Sequence, residues 1–167
     1  HFGLHRNFFE EICKMRAARR SWARIMGERF KAQNPKSCQM RMLTQTCGSS
    51  LAYEEPLNNI ARVALGAMAA VLGGTQALAT ASYDEVYAIP TGESQRIALR
   101  TQQIIEHETG AADVADPLGG SYYVEWLTDR MEQEALGYLE RIERMGGYVA
   151  ALENGFVLQE MARSALK

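Results

Sequence analysis

Cysteine and histidine are scarce in this chain, and long apolar runs are missing. The three cysteines, Cys13, Cys38 and Cys47, are odd in number and have no CxxC spacing. That argues against a disulfide framework and a zinc site, and fits a reducing, intracellular setting. The three histidines, His1, His5 and His107, form no metal-ligand pattern. No apolar run reaches the ~18 residues that a membrane helix needs. The segment after His1 has no apolar stretch of the kind a signal peptide carries, and a chain beginning at His1 without methionine reads as truncated or processed. A strongly basic field is also lacking: net charge is −2, so nucleic-acid binding is not suggested. The one dense basic cluster, Arg16-Ala17-Ala18-Arg19-Arg20, points several ways round a helix and reads as a solvated face or a contact to a neighbouring chain. No Ser-His-Asp order, Walker loop or GxGxxG after a strand is present.

What is there is an ordinary globular composition. A length of 167 residues fits one domain, 47% hydrophobic residues suffice for a sizeable core, and 23% charged residues exclude a disordered chain. Phe2 to His5 reads as the end of a strand. Asn7, with Glu10 three residues on, is a capping-box-like start for a helix running to about Phe30. Phe8, Ile12, Met15, Trp22 and Met26 face inward, and Asn34-Pro35 stops the helix. Gln39 to Thr46 is a strand and Gly48-Ser49-Ser50 a loop. Pro56 suits the first turn of a helix with Leu57, Ile60, Ala61, Ala64, Met68, Val71 and Leu72 as its apolar stripe, ended by Gly73-Gly74. Thr75 to Ala79 is a second strand, and Thr80 to Gly92 a long loop. Pro90-Thr91 opens a helix with Ile97, Thr101, Ile104 and Ile105 inward, closed by Gly110. A longer helix over about Tyr122 to Met145 puts Leu127, Met131, Ala135, Leu139 and Ile142 inward. Short helical pieces over Tyr148–Glu153 and Phe156–Leu166 finish the chain.

Helix and strand alternate, so the class is α/β. Strands ~30 residues apart with one helix between them are βαβ units, which pair in parallel. Two strands and a stub are too few for an independent parallel sheet. The expectation is a segment of a (β/α)8 barrel, its last βα units, followed by extra C-terminal helices. Ordinary barrel strands are filled with Val, Ile and Leu. Here Thr44, Gln45, Thr46, Cys47, Gly48, Thr75, Gln76, Ala77, Ala79 and Thr80 are small or polar, which predicts an open, wet lumen with a ligand along the axis. Gln45 and the Thr80 to Glu85 stretch lie at the C-terminal ends of the strands, where barrel active sites sit. Each alone also has an ordinary structural reading, since Gln, Ser and Thr satisfy backbone groups in strands and turns.

Collinear motifs run through nearly the whole chain: Asn7-Phe8-Phe9-Glu10-Glu11, Gln45-Thr46 with Gly48, Asn58-Asn59-Ile60, Gly73-Gly74-Thr75-Gln76, Asp84-Glu85, Arg96-Ile97-Ala98, Asp116-Pro117 and Gly119-Gly120-Ser121-Tyr122-Tyr123. In these the chain resembles the adenosylcobalamin-dependent acyl-CoA mutases, the methylmalonyl-CoA mutase-like family. The resemblance implies that residues 1–167 are the C-terminal portion of the substrate-binding barrel, with the CoA chain threaded along the axis. It implies radical carbon-skeleton rearrangement, an isomerase activity. Gln45 then serves as the catalytic residue beside the acyl group, and Glu85 and Gln76 as cofactor-binding residues. Leu43, Thr44 and Ala79 join Gln45 in binding substrate, and no residue binds metal. Leu43 and Ala79 stand where histidines are usual, and Ser49 where an aromatic is. These departures point to a bulkier or less charged acyl group. The alternative is a non-catalytic half-barrel partner or truncated paralogue. The implied partners are an acyl-CoA, the missing N-terminal barrel half and a cobalamin-binding subunit or domain. Self-association and a cytoplasmic setting, or the mitochondrial matrix in a eukaryote, are expected.

Overall fold

The computed structural model describes residues 1–165, so Leu166, the expected end of the last helix, lies outside the described residues. Three strands, β1 (Phe2–Leu4), β2 (Leu43–Thr46) and β3 (Ala77–Ala79), form one parallel sheet in the order β1-β2-β3. Helices α1 (Phe8–Arg24), α2 (Asn58–Leu72) and α3 (Gly92–Glu108) follow the strands in turn. Helices α4 (Tyr122–Arg144), α5 (Tyr148–Glu153) and α6 (Phe156–Ala165) complete the described chain. Sequential parallel neighbours joined by crossovers of one hand place their helices on one side of the sheet. The core bears this out. Leu4, Met15, Met42 and Ala70 form one buried cluster with Leu78 packed on it, and Leu51, Val63 and Ala81 form another. The α/β expectation and its parallel pairing are met.

Strands β2 and β3 are shorter than expected, because side chains occupy the groups that a longer ladder would use. The Gln76 carboxamide accepts from the Met42 amide at 2.8 Å, and the Thr75 hydroxyl donates to the Ala77 carbonyl at 2.7 Å. The start of α1 is where expected, but Asn7 makes no backbone cap; its amide donates to Glu10 instead, at 2.7 Å. The last turn, Ile25–Arg29, widens to a π-helix, and Asn34 caps the turn at Pro35 by accepting from Lys36 N at 3.0 Å. Trp22, expected inward, is 41% exposed; its indole donates to the Ser37 carbonyl and ties this turn to α1.

Two helices present a face other than the one read from hydropathy. In α2 the buried positions include Asn59, Val63, Ala67 and Ala70, whereas Leu57 is exposed. The Asn59 amide sets this rotation: it accepts from Ala52 N and donates to the carbonyls of Ala52 and Tyr83, all within 3.0 Å. A buried amide so engaged outweighs one outward leucine. In α4 the buried residues are Val124, Thr128 and Glu132, while Leu139 is exposed. The cause is α1, whose basic cluster is turned toward carboxylates of α4 and of the turn before it. Arg16 makes a two-pronged pair with Asp116 (2.9 and 3.0 Å), reaches Glu125 at 2.7 Å and donates to Thr128 at 2.9 Å. Arg20 pairs with Asp129 and Glu132, and Arg24 with Glu132. The hydrogen bond to Asp116 raises the Arg16 guanidinium above its ordinary value, and Arg16 in turn holds the Glu125 carboxyl below its own. Burial pushes the Cys13 thiol up beneath this contact.

Two glycines meet real geometric demands. Gly74, at φ +79°, takes the left-handed conformation that ends α2. Gly66 lets α2 approach β2, since a Cβ there would lie 3.2 Å from the Thr46 methyl.

Candidate functional site

Exposure alternates strictly along β2. Thr44 and Thr46 are buried at 0% and 2%, whereas Leu43 is 40% exposed and Gln45 half-buried. Successive side chains of a strand face opposite ways, so Thr44 and Thr46 belong to the helix-covered side. Thr44 donates to the Thr75 hydroxyl at 2.9 Å, and the Thr46 hydroxyl accepts from Ala81 N at 2.7 Å. Thr80 likewise donates to the Ala98 carbonyl of α3 at 2.9 Å. These hydroxyls therefore bond within the sheet, its following loop and α3. Thr44, expected to bind substrate with Leu43 and Gln45, lies on the opposite face from them and is fully enclosed.

The uncovered face carries Leu43 and Gln45 with their register partners. Gln45 lies between Gly3 of β1 and Ala79 of β3, and Leu43 is paired with Ala77. Gln45 is thus flanked by residues of one or no side-chain carbon, although the Cys47 sulfur fills the place beside Gly3, 2.6 Å from where a Cβ on that glycine would lie. The expected residues Gln45, Leu43 and Ala79 are brought together here. Gly3 and Ala77 were missed; the two-residue alternation counted from Gln45, applied to neighbouring strands, is the signal that finds them.

The loop after β3 forms a rim at the C-terminal ends of the strands. Glu85 is exposed there and stands over Gly48, with a carboxylate oxygen 3.6 Å from where a Cβ on that glycine would be. Asp84 is 4% exposed; one oxygen accepts from Thr91 N at 3.3 Å, and the other, Oδ1, is buried with no hydrogen-bond partner. An open cleft of about 610 Å³ beside Glu85 is lined by Ala79, Thr80, Ser82, Arg96 and Gln102. Tyr53 and Tyr87, 5.5 Å apart edge to face, with the 92%-exposed Ile89, make an apolar lip. Gln76 does not join this rim. It precedes β3, at the other end of the sheet, where its carboxamide is held between Met42 N and the Gly74 carbonyl. Among the described residues no cluster of His, Cys, Asp or Glu could hold a metal ion, the three cysteines are free thiols, and no helix is long and apolar enough to cross a membrane.

A parallel sheet covered by helices on one side, bare on the other around one glutamine, and rimmed by carboxylates at its C-terminal edge makes an α/β layer with one open face. The family model described as methylmalonyl-CoA mutase matches residues 1–167, and the chain belongs to that family. It is 51% identical over 154 residues to methylmalonyl-CoA mutase of Rhizobium meliloti, covering 92% of this chain and 22% of the relative. It is 49% identical over 156 residues to the 2-hydroxyisobutanoyl-CoA mutase large subunit of Aquincola tertiaricarbonis, covering 93% of this chain and 28% of that protein. Against human mitochondrial methylmalonyl-CoA mutase it is 49% identical over 154 residues, 92% of this chain and 20% of the relative. The chain thus spans between a fifth and three tenths of the length of these relatives.

Proposed function

We propose that this chain is the C-terminal portion of the substrate-binding (β/α)8 barrel of an adenosylcobalamin-dependent acyl-CoA mutase, an isomerase that rearranges the carbon skeleton of an acyl-CoA. The observation that carries the reading is the family match along the entire chain. The strand order and one-sided helical layer support the barrel: a closed barrel keeps its helices outside and its bare face toward the axis. Both outer strands, β1 and β3, then pair with strands supplied by the rest of the protein.

The rim fits the cofactor. Glu85 is an exposed acceptor at the rim, so a ribose hydroxyl finds an acceptor there. Glu85 would hold the adenosyl ribose. When bound, adenosylcobalamin supplies a carbon-centred radical by homolysis of its cobalt–carbon bond. The work of this chain is positional. Gln45 donates its amide hydrogens to the thioester oxygen and fixes the acyl group beside the rim. Ala77 and Ala79 leave it room on the β3 side. Leu43, apolar where the family commonly has a histidine, favours an acyl group less charged than methylmalonyl. The lip of Tyr53, Tyr87 and Ile89 excludes water from reactive species.

The corrin is held by a domain or subunit outside this chain. That one relative is named a large subunit supports a separate cobalamin-binding subunit here as well. Assembly into an oligomer and residence in the cytoplasm, or in the mitochondrial matrix in a eukaryote, belong to the same reading. The test is conversion of a panel of branched acyl-CoAs by the full-length protein, supplied with adenosylcobalamin and any separate cobalamin subunit. Isomer formation followed by mass spectrometry is expected; a folded, cofactor-loaded assembly without turnover on any of them refutes it. A non-catalytic partner role is favoured by the apolar Leu43 and Ala79 alone, and tight binding of both cobalamin and acyl-CoA counts against it.

A further inference from the structure

A cavity of about 440 Å³ opens between the start of α1 and the middle of α2. It lies on the helix-covered side of the sheet, across β2 from Gln45, because Gly66 in its lining abuts the Thr46 methyl. Gly66 and Ala69 are small and leave the space unfilled, while Phe8 and Leu65 give it apolar walls. Leu65 is 62% exposed, an apolar side chain without a cover at the mouth. Pockets for small molecules span about 300–1,000 Å³ and combine such walls with a few polar groups.

The polar groups here are cationic. Arg6 and Arg62 both line the cavity, and no carboxylate does. Arg6 donates to the Ser50 carbonyl at 3.3 Å, and Arg62 to the side-chain oxygen of Asn59 at 2.8 Å. Both acceptors are neutral, and among the described residues neither guanidinium makes an ion pair. Two like charges on one cavity repel, and an anion between them turns that cost into attraction. A carboxylate suits guanidinium groups in charge and planar shape. A neutral apolar ligand would leave both cations unmatched, and a bare inorganic anion would leave the apolar walls wet. We propose that this cavity binds a small amphiphilic acid, a medium-chain monocarboxylate whose tail lies on Phe8, Leu65 and Ala69 and whose carboxylate pairs with Arg6 and Arg62. The site stands apart from the mutase reading, which places its ligands on the opposite face of β2. An acidic segment of protein is the competing occupant.

The experiment is calorimetric titration of the full-length protein with octanoate, with 1-octanol, which lacks the charge, and with acetate, which lacks the tail. Octanoate should bind at least about tenfold more tightly than either, since a hydrogen bond to a charged group is worth about that factor or more. Arg6→Gln and Arg62→Gln should each weaken octanoate about tenfold and leave 1-octanol unchanged. Leu65→Ser, a change at an exposed position, should weaken octanoate and 1-octanol alike. Saturating CoA should leave octanoate binding as it was. Octanoate bound no better than 1-octanol, or bound equally by wild type and an Arg6→Gln/Arg62→Gln double variant, overturns the proposal. Displacement of octanoate by CoA puts the acid on the open face and overturns it as well. Full-length wild type that ignores octanoate also overturns it and leaves the cavity to a segment of protein; the mutase reading, tested by turnover, is untouched by any of these results.

Discussion

Replacing Arg16 by methionine tests how α4 is held against the rest of the molecule. The guanidinium is 10% exposed, while Asp116 and Glu125 are 43% and 39% exposed. Methionine keeps most of the aliphatic stem, so packing changes little. What is lost is the four-contact cluster on Asp116, Glu125 and Thr128. Fully exposed ion pairs are worth at most about 1 kcal/mol, and breaking a buried one costs about 3–5 kcal/mol. This cluster lies between: the cation is enclosed, but both abandoned carboxylates can reach water. We expect a loss of about 2 kcal/mol, concentrated in the docking of α4. In the full-length protein that is about a thirtyfold acceleration of amide hydrogen exchange along α4. Amides of α2, which has no part in the cluster, should exchange as before. Acceleration below about twofold, which is about 0.4 kcal/mol, or equal acceleration in both helices, would refute the reasoning.

Other substitutions separate the two faces of β2. Thr44→Val should cost about 1 kcal/mol in thermal unfolding through loss of its bond to Thr75, with KM unchanged. Gln45→Ala should do the reverse, lowering kcat/KM on the order of a hundredfold at unchanged stability; a KM effect from Thr44→Val would mean that the faces are wrongly assigned. Gly74→Ala forces a left-handed backbone on alanine at φ +79° and places a Cβ 2.7 Å from an Arg19 nitrogen, so a loss of about 1–2 kcal/mol is expected in denaturant titration; unaltered stability would contradict it. The pH dependence follows from Glu125, whose carboxyl is held below its ordinary 4.5, first by the Arg16 hydrogen bond. Its contribution is complete above that value and is lost as pH falls through the lower folded value. Protection of α4 against exchange, corrected for intrinsic rates, should therefore fall on acidification below pH 4.5 in the wild type and much less in Arg16→Met.

The order of elements was legible because glycine and proline punctuate this chain clearly: Gly73-Gly74 and Gly110 follow helix ends, and Asn34-Pro35 opens the turn after α1. Helix faces were less legible wherever a polar side chain points inward. Hydropathy counts Asn59 and Glu132 as outward, yet both are buried, one bonded to backbone and the other to arginines of α1. The face of Thr44 was hard to read for a related reason. Composition does not separate a threonine bonded across strands from one facing a ligand, although strict alternation from Gln45 does. Gln45, Leu43 and Ala79 share the open face, and Glu85 stands at its rim. Gln76, grouped with Glu85 by the family resemblance, stands three strand residues away from that end.

The arginines of α1 also say something about the order in which the molecule can be completed. The strand contact from Thr44 to Thr75 closes over 31 residues, whereas Arg16 reaches Asp116 across 100. Short loops close before long ones at lower entropic cost. While the chain is still being synthesised, the sheet and its first helices can therefore assemble with one flank of α1 still hydrated and positively charged. That flank keeps the nascent unit soluble and gives premature apolar partners nothing to bind. Only when α4 arrives is that charge met by carboxylates, so this helix closes as a latch on a sheet already assembled.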